Sequence, residues 1–314
     1  MPKTKDLAGK VAVITGAASG FGREFARLAA RRGCKLVLAD VQEDALAEAA
    51  AELSAQGADL LAQPTNVSKA EQVEALAERT LQRFGAVHLL FNNAGVGAGG
   101  LRWENTVQDW EWVLGVNLWG VVHGIRTFTP LMLQGMRADP DYFGHIVNTS
   151  SIAGLLSPPG LGVYNVSKHA VVTLSETLYH DLRLIEARIG VSVLCPAFVP
   201  TGIAHSHRNR PAELTNQTPP TPSQLRAQAQ TKKAVESGHL TAAQVAEQTF
   251  SAISLAKSLA IAASFRHGRP ASRRLAACQI SWRAASSRVA QSARRKPTAW
   301  WLKIAVPKLW RSFA

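Results

Sequence analysis

An α/β fold on a doubly wound parallel sheet is predicted for this chain by two observations. Short apolar runs alternate with longer segments of helical periodicity, and the first run feeds a glycine-rich turn that opens a helix. The runs Val11 to Thr15, Lys35 to Ala39, Leu60 to Ala62, Val87 to Phe91, His145 to Thr149 and Val191 to Cys195 read as buried strands. Between them, Phe21 to Arg32, Glu43 to Gln56, Lys69 to Phe84, Val107 to Met136 and Tyr164 to Ile189 are long enough for crossover helices. From Pro196 the rhythm changes. Residues 201–238 include Thr218-Pro219-Pro220-Thr221-Pro222 and read as a long loop or lid with short helices, and Leu240 to Ile253 as one more helix.

The 314 residues suffice for one large domain, expected over residues 1–254, with a basic tail over 255–314. Residues 248–314 hold 13 of the 35 Lys and Arg and none of the 22 Asp and Glu, so the whole net charge of +13 belongs to the tail. The body is neutral, and nucleic acid is not an expected partner for it. Cys34, Cys195 and Cys278 are odd in number and far apart, which suggests neither a disulfide framework nor a metal site. With no apolar leader and no long uncharged span, a cytoplasmic protein is expected.

Thr15-Gly16-Ala17-Ala18-Ser19-Gly20-Phe21-Gly22 lies between the first strand and first helix, where a glycine turn brings backbone N–H groups to a dinucleotide pyrophosphate. Asp40 ends the second strand. A carboxylate there accepts the adenosine ribose hydroxyls and repels a 2′-phosphate, and Val41 follows where a cation would welcome that phosphate, so NAD is preferred over NADP. Asn66 and Val67 end the third strand and Asn92-Asn93-Ala94-Gly95 the fourth, at the edge where such sheets bind ligands. Tyr164 and Lys168 are spaced to share a helix face, which brings an ammonium near a phenol and lowers its pKa, while Ser151 offers a hydroxyl to a substrate oxygen.

In these motifs, with Asn117 in Val116-Asn117-Leu118-Trp119-Gly120 and the run Pro196 to Thr201, the chain resembles the short-chain dehydrogenase/reductase family from Lys10 to about Ile203. The resemblance implies a Rossmann fold, a homo-oligomer, and hydride transfer between a nicotinamide cofactor and a secondary alcohol or ketone. It makes Tyr164 the general acid/base, Ser151 the group that polarises the reacting oxygen, and Lys168 the group that tunes Tyr164 and binds the nicotinamide ribose. Asn117 would hold a proton-relaying water. The cofactor set is Gly16, Ser19, Gly20, Phe21, Gly22, Asp40, Val41, Asn66, Val67, Asn93, Ala94, Gly95, Tyr164, Lys168, Pro196, Val199 and Thr201. Substrate would lie between Ser151, Tyr164, the 97–103 loop and a lid over about 198–238, against Leu101, Trp103, Leu155, Leu156 and Phe198. That lining suits an apolar, small-molecule alcohol.

Three positions depart from the family pattern. Asn66 stands where Asp usually meets adenine, and its side-chain oxygen still accepts a hydrogen bond. Pro196-Ala197 replaces a common Pro-Gly, and His88 replaces a frequent Asp and reads as packing rather than catalysis. His205, His207, Arg208 and Arg210 read as a solvated basic lid face. Family members follow the last helix with a seventh strand, yet the Ser/Ala/Arg-rich sequence beyond Ser254 presents no convincing strand. A shifted GC-rich reading frame yields such a composition. Trp300-Trp301-Leu302-Lys303-Ile304-Ala305-Val306 resembles an interfacial, membrane-surface segment, and a disordered tail is the simplest expectation. A non-catalytic nucleotide-binding protein whose tail contacts membrane or nucleic acid is the alternative from a different class.

Overall fold

The computed structural model describes residues 6–254 and 260–262. Seven strands, β1 (Val11–Thr15), β2 (Lys35–Asp40), β3 (Leu60–Pro64), β4 (Leu89–Asn92), β5 (Gly144–Thr149), β6 (Ile189–Leu194) and β7 (Ala260–Ala262), form one parallel sheet in the order β3-β2-β1-β4-β5-β6-β7. β1 and β5 are buried along their whole length, as expected of parallel strands covered on both faces. The order reverses between β1, which pairs Ala12 with Leu36 of β2 on one side, and β4, which pairs Leu89 with Ala12 on the other. Connections leaving in opposite directions open a crevice at the carboxyl ends of these two strands.

Alternate residues of each strand supply two cores. On one face Ala12, Ile14 and Phe91 pack against α1 (Gly20–Arg31), α2 (Glu43–Ala55) and α8 (Ala242–Ser254). Phe91 lies between Phe25 and Phe250, with ring centroids 5.0 and 5.5 Å apart. On the other face Val11, Val13 and Val37 meet α3 (Ala70–Phe84), α5 (Gly120–Ala138) and α6 (Gly162–Leu184) through Leu76, Phe128 and Leu182.

The structure departs from the sequence expectation in four places. The helix expected over Val107 to Met136 is two, α4 (Val107–Leu114) and α5, joined by one π turn, Gly115–Trp119. The extra residue per turn rotates Asn117 inward, where it is fully buried. α6 stops at Leu184 rather than Ile189, because Glu186 takes φ +53° and Ile189 begins β6. The lid is more helical than expected. Two 3₁₀ turns, Gly202–Asn209 and Ala212–Leu214, lead into α7 (Pro222–Glu236), which starts with Pro222 at its first position and a capping box between Thr221 and Gln224. Finally, a seventh strand does exist beyond Ser254. Ala260–Ala262 pairs with Ser192–Leu194, and three apolar residues within a Ser/Ala-rich stretch are too short a run to mark a strand by periodicity. Cys278 and the Trp300–Val306 segment lie outside the described residues.

Two histidines make the fold acid-sensitive. His88 is half-buried, accepts the Val11 N–H at Nδ1 (3.1 Å) and stacks on Tyr142, as the packing role expected of it requires. His145 is fully buried, with Nε2 2.8 Å from Ser192 Oγ. Burial lowers each imidazole from its usual 6.5 to about 4. Groups depressed in the folded state contribute their full stability above pH 6.5 and lose it as pH falls toward 4. Calorimetric melting should therefore be flat between pH 6.5 and 7.5 and fall steeply from pH 6.5 to pH 4. His88→Asn, whose amide oxygen accepts the same N–H, should flatten part of that slope.

Candidate active site

The crevice begins where β1 ends. Gly16 takes φ +67°, open to glycine at little cost, and a Cβ on it would lie 2.9 Å from Ala94 Cα. A Cβ on Gly22 would lie 2.0 Å from Gly16 O, so the turn closes tightly only without that side chain. Its walls are tied together by three residues, Thr15, Asn93 and Thr149. Thr15 Oγ1 accepts from Asn93 N (2.9 Å) and Ala94 N (3.1 Å), Asn93 Nδ2 donates to Thr15 O (3.0 Å), and Thr149 Oγ1 donates to Asn93 Oδ1 (3.2 Å). Asp40 is buried at the end of β2, and its two carboxylate oxygens accept Ala18 N and Gln42 N at 3.0 Å each. The carboxylate is thus aimed beside the glycine turn with lone pairs left for further donors.

One cavity of about 440 Å³ runs from this turn to the lid and is lined by Gly16, Ser19, Gly20, Phe21, Asp40, Val41, Asn66, Val67, Asn93, Ala94, Gly95, Ser151, Tyr164, Lys168, Pro196, Phe198, Val199 and Thr201. Gly22 and Asn117 support the wall from behind. The glycine cradle, the anchored carboxylate and the cavity's size fit a dinucleotide. Leu155, expected against substrate, does not line the cavity, nor do Leu101, Trp103 and Leu156. The 3₁₀ turn Ile152–Gly154 after Ser151 directs Ile152 and Ala153 inward in place of the two leucines, and Trp103 sits on another 3₁₀ turn, 77% exposed.

At the far end, Tyr164 and Lys168 occupy the first turns of α6, and Ser151 caps the 3₁₀ turn after β5, with Oγ accepting Ala153 N at 3.2 Å. Lys168 Nζ donates to Thr149 O (3.0 Å) and lies 5.6 Å from the Tyr164 ring centroid. The expected lowering of the phenol by the ammonium is not what this geometry produces. Burial raises Tyr164 above its usual value, a hydrogen bond with Ser151 opposes that rise, and burial lowers Lys168 to about 8. Desolvation disfavours both charged forms and outweighs their interaction across the gap.

Asn117 is spent on structure. Its Oδ1 accepts Val96 N (2.8 Å), and Nδ2 donates to Val96 O (2.9 Å) and Ser167 Oγ (3.1 Å). A Cβ on Gly95 would lie 3.5 Å from Asn117 Oδ1 and 3.6 Å from Lys168 Nζ, so this glycine sits between the amide and the ammonium. Asn66 also differs from expectation. Its Oδ1 accepts both Ser68 N (3.0 Å) and Ser68 Oγ (2.7 Å) in the approach to α3, so that oxygen is not held out for adenine.

The lid contributes residues that local sequence signals do not assign. Arg210 is no solvated cation. Its Nη1 pairs with the buried Asp109 (2.6 Å), Nη2 donates to Asn216 Oδ1 (2.8 Å), and the guanidinium sits 5.1 Å from the Trp112 ring centroid. The only local hint is the capping box of Thr106 and Asp109 at the start of α4. Arg208 Nε donates to Gln42 Oε1 (2.9 Å) from 166 residues away. Among the described residues no group of His, Cys, Asp and Glu is arranged to hold a metal, and no helix is long and apolar enough to cross a membrane.

A doubly wound sheet with a glycine cradle at its switch point and a Ser, Tyr and Lys cluster beyond it defines a nucleotide-dependent oxidoreductase class. The family model for short chain dehydrogenases matches residues 10–212, and the chain belongs to that family. A short chain dehydrogenase/reductase from Burkholderia phymatum in complex with NAD is 50% identical, with a TM-score of 0.79 over 94% of this chain and 98% of the other. The CLA biosynthesis dehydrogenase/reductase of Lactiplantibacillus plantarum is 38% identical over 216 residues, 69% of this chain and 74% of the relative. The 3-ketoacyl-(acyl-carrier-protein) reductase of Brucella melitensis, complexed with NADH, is 27% identical with a TM-score of 0.65, covering 82% of this chain and 96% of the other. The chain is an oxidoreductase of this family with a nicotinamide cofactor.

Replacing Asn117 with Ala would strand the N–H and C=O of Val96 in the interior. Each unsatisfied buried group costs about 1–3 kcal/mol, so urea unfolding should show a loss of roughly 2–4 kcal/mol.

Proposed function

We propose that the protein interconverts a secondary alcohol and a ketone with NAD, using Tyr164 as general acid/base. The observation that carries this reading is that Ser151, Tyr164 and Lys168 share one cavity with the glycine turn and Asp40. The nicotinamide, when bound, supplies the site that accepts or gives the hydride. Ser151 and Tyr164 hold the substrate oxygen between two hydroxyls. Because burial keeps Tyr164 a phenol at neutral pH, its O–H is ready to protonate the oxygen of a ketone being reduced. In the reverse direction Tyr164 must take the hydroxyl proton and therefore must first lose its own. Lys168, poised near pH 8 and anchored on Thr149 O, orients the ribose end and bears the positive charge that favours that loss.

Preference for NAD is supported by the Asp40 carboxylate, which disfavours a 2′-phosphate, and by the absence of a cation at Val41. An apolar substrate is supported by Val96, Trp112, Ile152, Phe198 and Leu214 on the lid side of the cavity. Assembly as a homo-oligomer belongs to the same reading and is supported by the exposed Val107, Trp119 and Val166 on neighbouring helices. Light scattering tests it. Cytoplasmic residence rests on the sequence argument alone.

Tyr164→Phe should abolish turnover over a panel of secondary alcohols while NADH binding stays within about 2-fold of wild type; full turnover in that variant would refute the role. Alcohol oxidation should speed up from pH 7 to 8 while ketone reduction stays nearly flat, since the folded-state phenol titrates above its ordinary value and remains protonated over that range. Asp40→Ser should raise kcat/KM for NADP relative to NAD by at least about 10-fold.

A further inference from the structure

Four cavity-lining residues carry basic nitrogens, Lys168, His207, Arg208 and Arg210. Lys168 is buried at the catalytic end and donates to Thr149 O. Arg210 is neutralised by Asp109 and stacked on Trp112. His207 is exposed and pairs its ring with His205, with centroids 6.3 Å apart. Arg208 differs from all of these. Its guanidinium is exposed, and its hydrogen-bond partner is the neutral side chain of Gln42, two positions beyond Asp40.

The guanidinium lies beside Gly202, its Nη2 and Nη1 3.3 and 3.7 Å from where a Cβ on that glycine would stand. Gly202 has no left-handed backbone to require glycine. Its neighbour Thr201 approaches within 3.4 Å of the Cβ position on Gly20, in the turn that opens α1. The guanidinium thus lines the cavity between Gln42, just beyond the end of β2, and Gly202, whose neighbour Thr201 meets the glycine turn. A dinucleotide in this cavity must run its pyrophosphate past the glycine turn to bring adenosine ribose to Asp40. The turn itself offers backbone N–H groups and the Ser19 hydroxyl but no cation. Arg23, the first arginine of α1, is held by Glu48 and Glu52 at 2.8 and 2.7 Å and does not line the cavity.

We propose that Arg208 is a lid-borne pyrophosphate ligand, positioned by Gln42, so that the lid closes on the nucleotide as well as on the substrate. The charge the pyrophosphate needs comes from the lid rather than from the glycine turn, which couples cofactor retention to the lid's closed arrangement. The proposal rests on the dehydrogenase reading of the same cavity.

Isothermal titration of the full-length protein with NADH, ADP-ribose and adenosine tests it without recourse to turnover. Arg208→Ala should weaken NADH and ADP-ribose by a similar factor of about 10, leave adenosine within about 2-fold, and reduce the salt dependence of NADH binding. Arg208→Lys should recover part of the loss, and Gln42→Ala should weaken NADH by a smaller factor of about 3. NADH affinity unchanged in Arg208→Ala, or an equal loss for adenosine, overturns the proposal while wild-type binding leaves the dehydrogenase reading intact. Wild-type protein that binds neither NADH nor ADP-ribose overturns both.

Discussion

The hydrogen-bonded knot of Thr15, Asn93 and Thr149 is the constraint on which the site depends. Three strands that diverge at the switch point are held there by side chains rather than by ladder bonds, since β1, β4 and β5 have all ended or are ending at these residues. Thr15 uses one hydroxyl to satisfy two backbone N–H groups, and Asn93 returns a hydrogen bond to the carbonyl of Thr15. Buried backbone groups at strand ends must find such partners or be lost to solvent. Here the partners also hold the crevice at a fixed width, with the glycine turn on one side and Lys168, bonded to Thr149 O, on the other.

The same economy governs the catalytic end. Polar groups drawn into a weakly hydrated cavity are pushed toward their neutral forms, which is visible in the raised Tyr164 and the lowered Lys168. A phenol kept protonated by burial, balanced by a hydroxyl neighbour and a poised amine, needs only a modest change of environment to give or take a proton. Asn117 serves this arrangement from a distance. Its amide binds the Val96 backbone to Ser167 on α6, the helix that carries Tyr164 and Lys168, and the π turn exists where that amide must face inward.

The lid is held in a different way. Arg210, Asp109, Trp112 and Asn216 form a compact ion-pair and aromatic contact that fixes the lid to α4 with little exposure of either charge. A buried pair of this kind gains from excellent geometry and loses heavily if one partner is removed. Arg208, two positions earlier, has only the neutral side chain of Gln42 as its hydrogen-bond partner and lines the cavity. Two arginines that look alike in sequence thereby acquire opposite duties.

What was legible in the sequence follows from local rules. Period and length separate strands from helices, a glycine turn after the first strand marks the phosphate end, and Tyr164 and Lys168 at helical spacing share a face whatever surrounds them. Six strands and the six expected helical segments came from that level, and the cavity positions from Gly16 to Thr201 from the family resemblance that the motifs carry. What only the tertiary structure decided are events set by partners far along the chain: the π turn that seats Asn117 against Val96, the diversion of Asn66 to Ser68, the turn that takes Leu155 out of the cavity, the pairing of Ala260–Ala262 with β6, and the division of Arg208 and Arg210 between Gln42 and Asp109. The physical reason is that backbone propensity acts over a few residues. Desolvation and hydrogen-bond satisfaction depend instead on which groups the completed fold brings within 3 Å or so of one another.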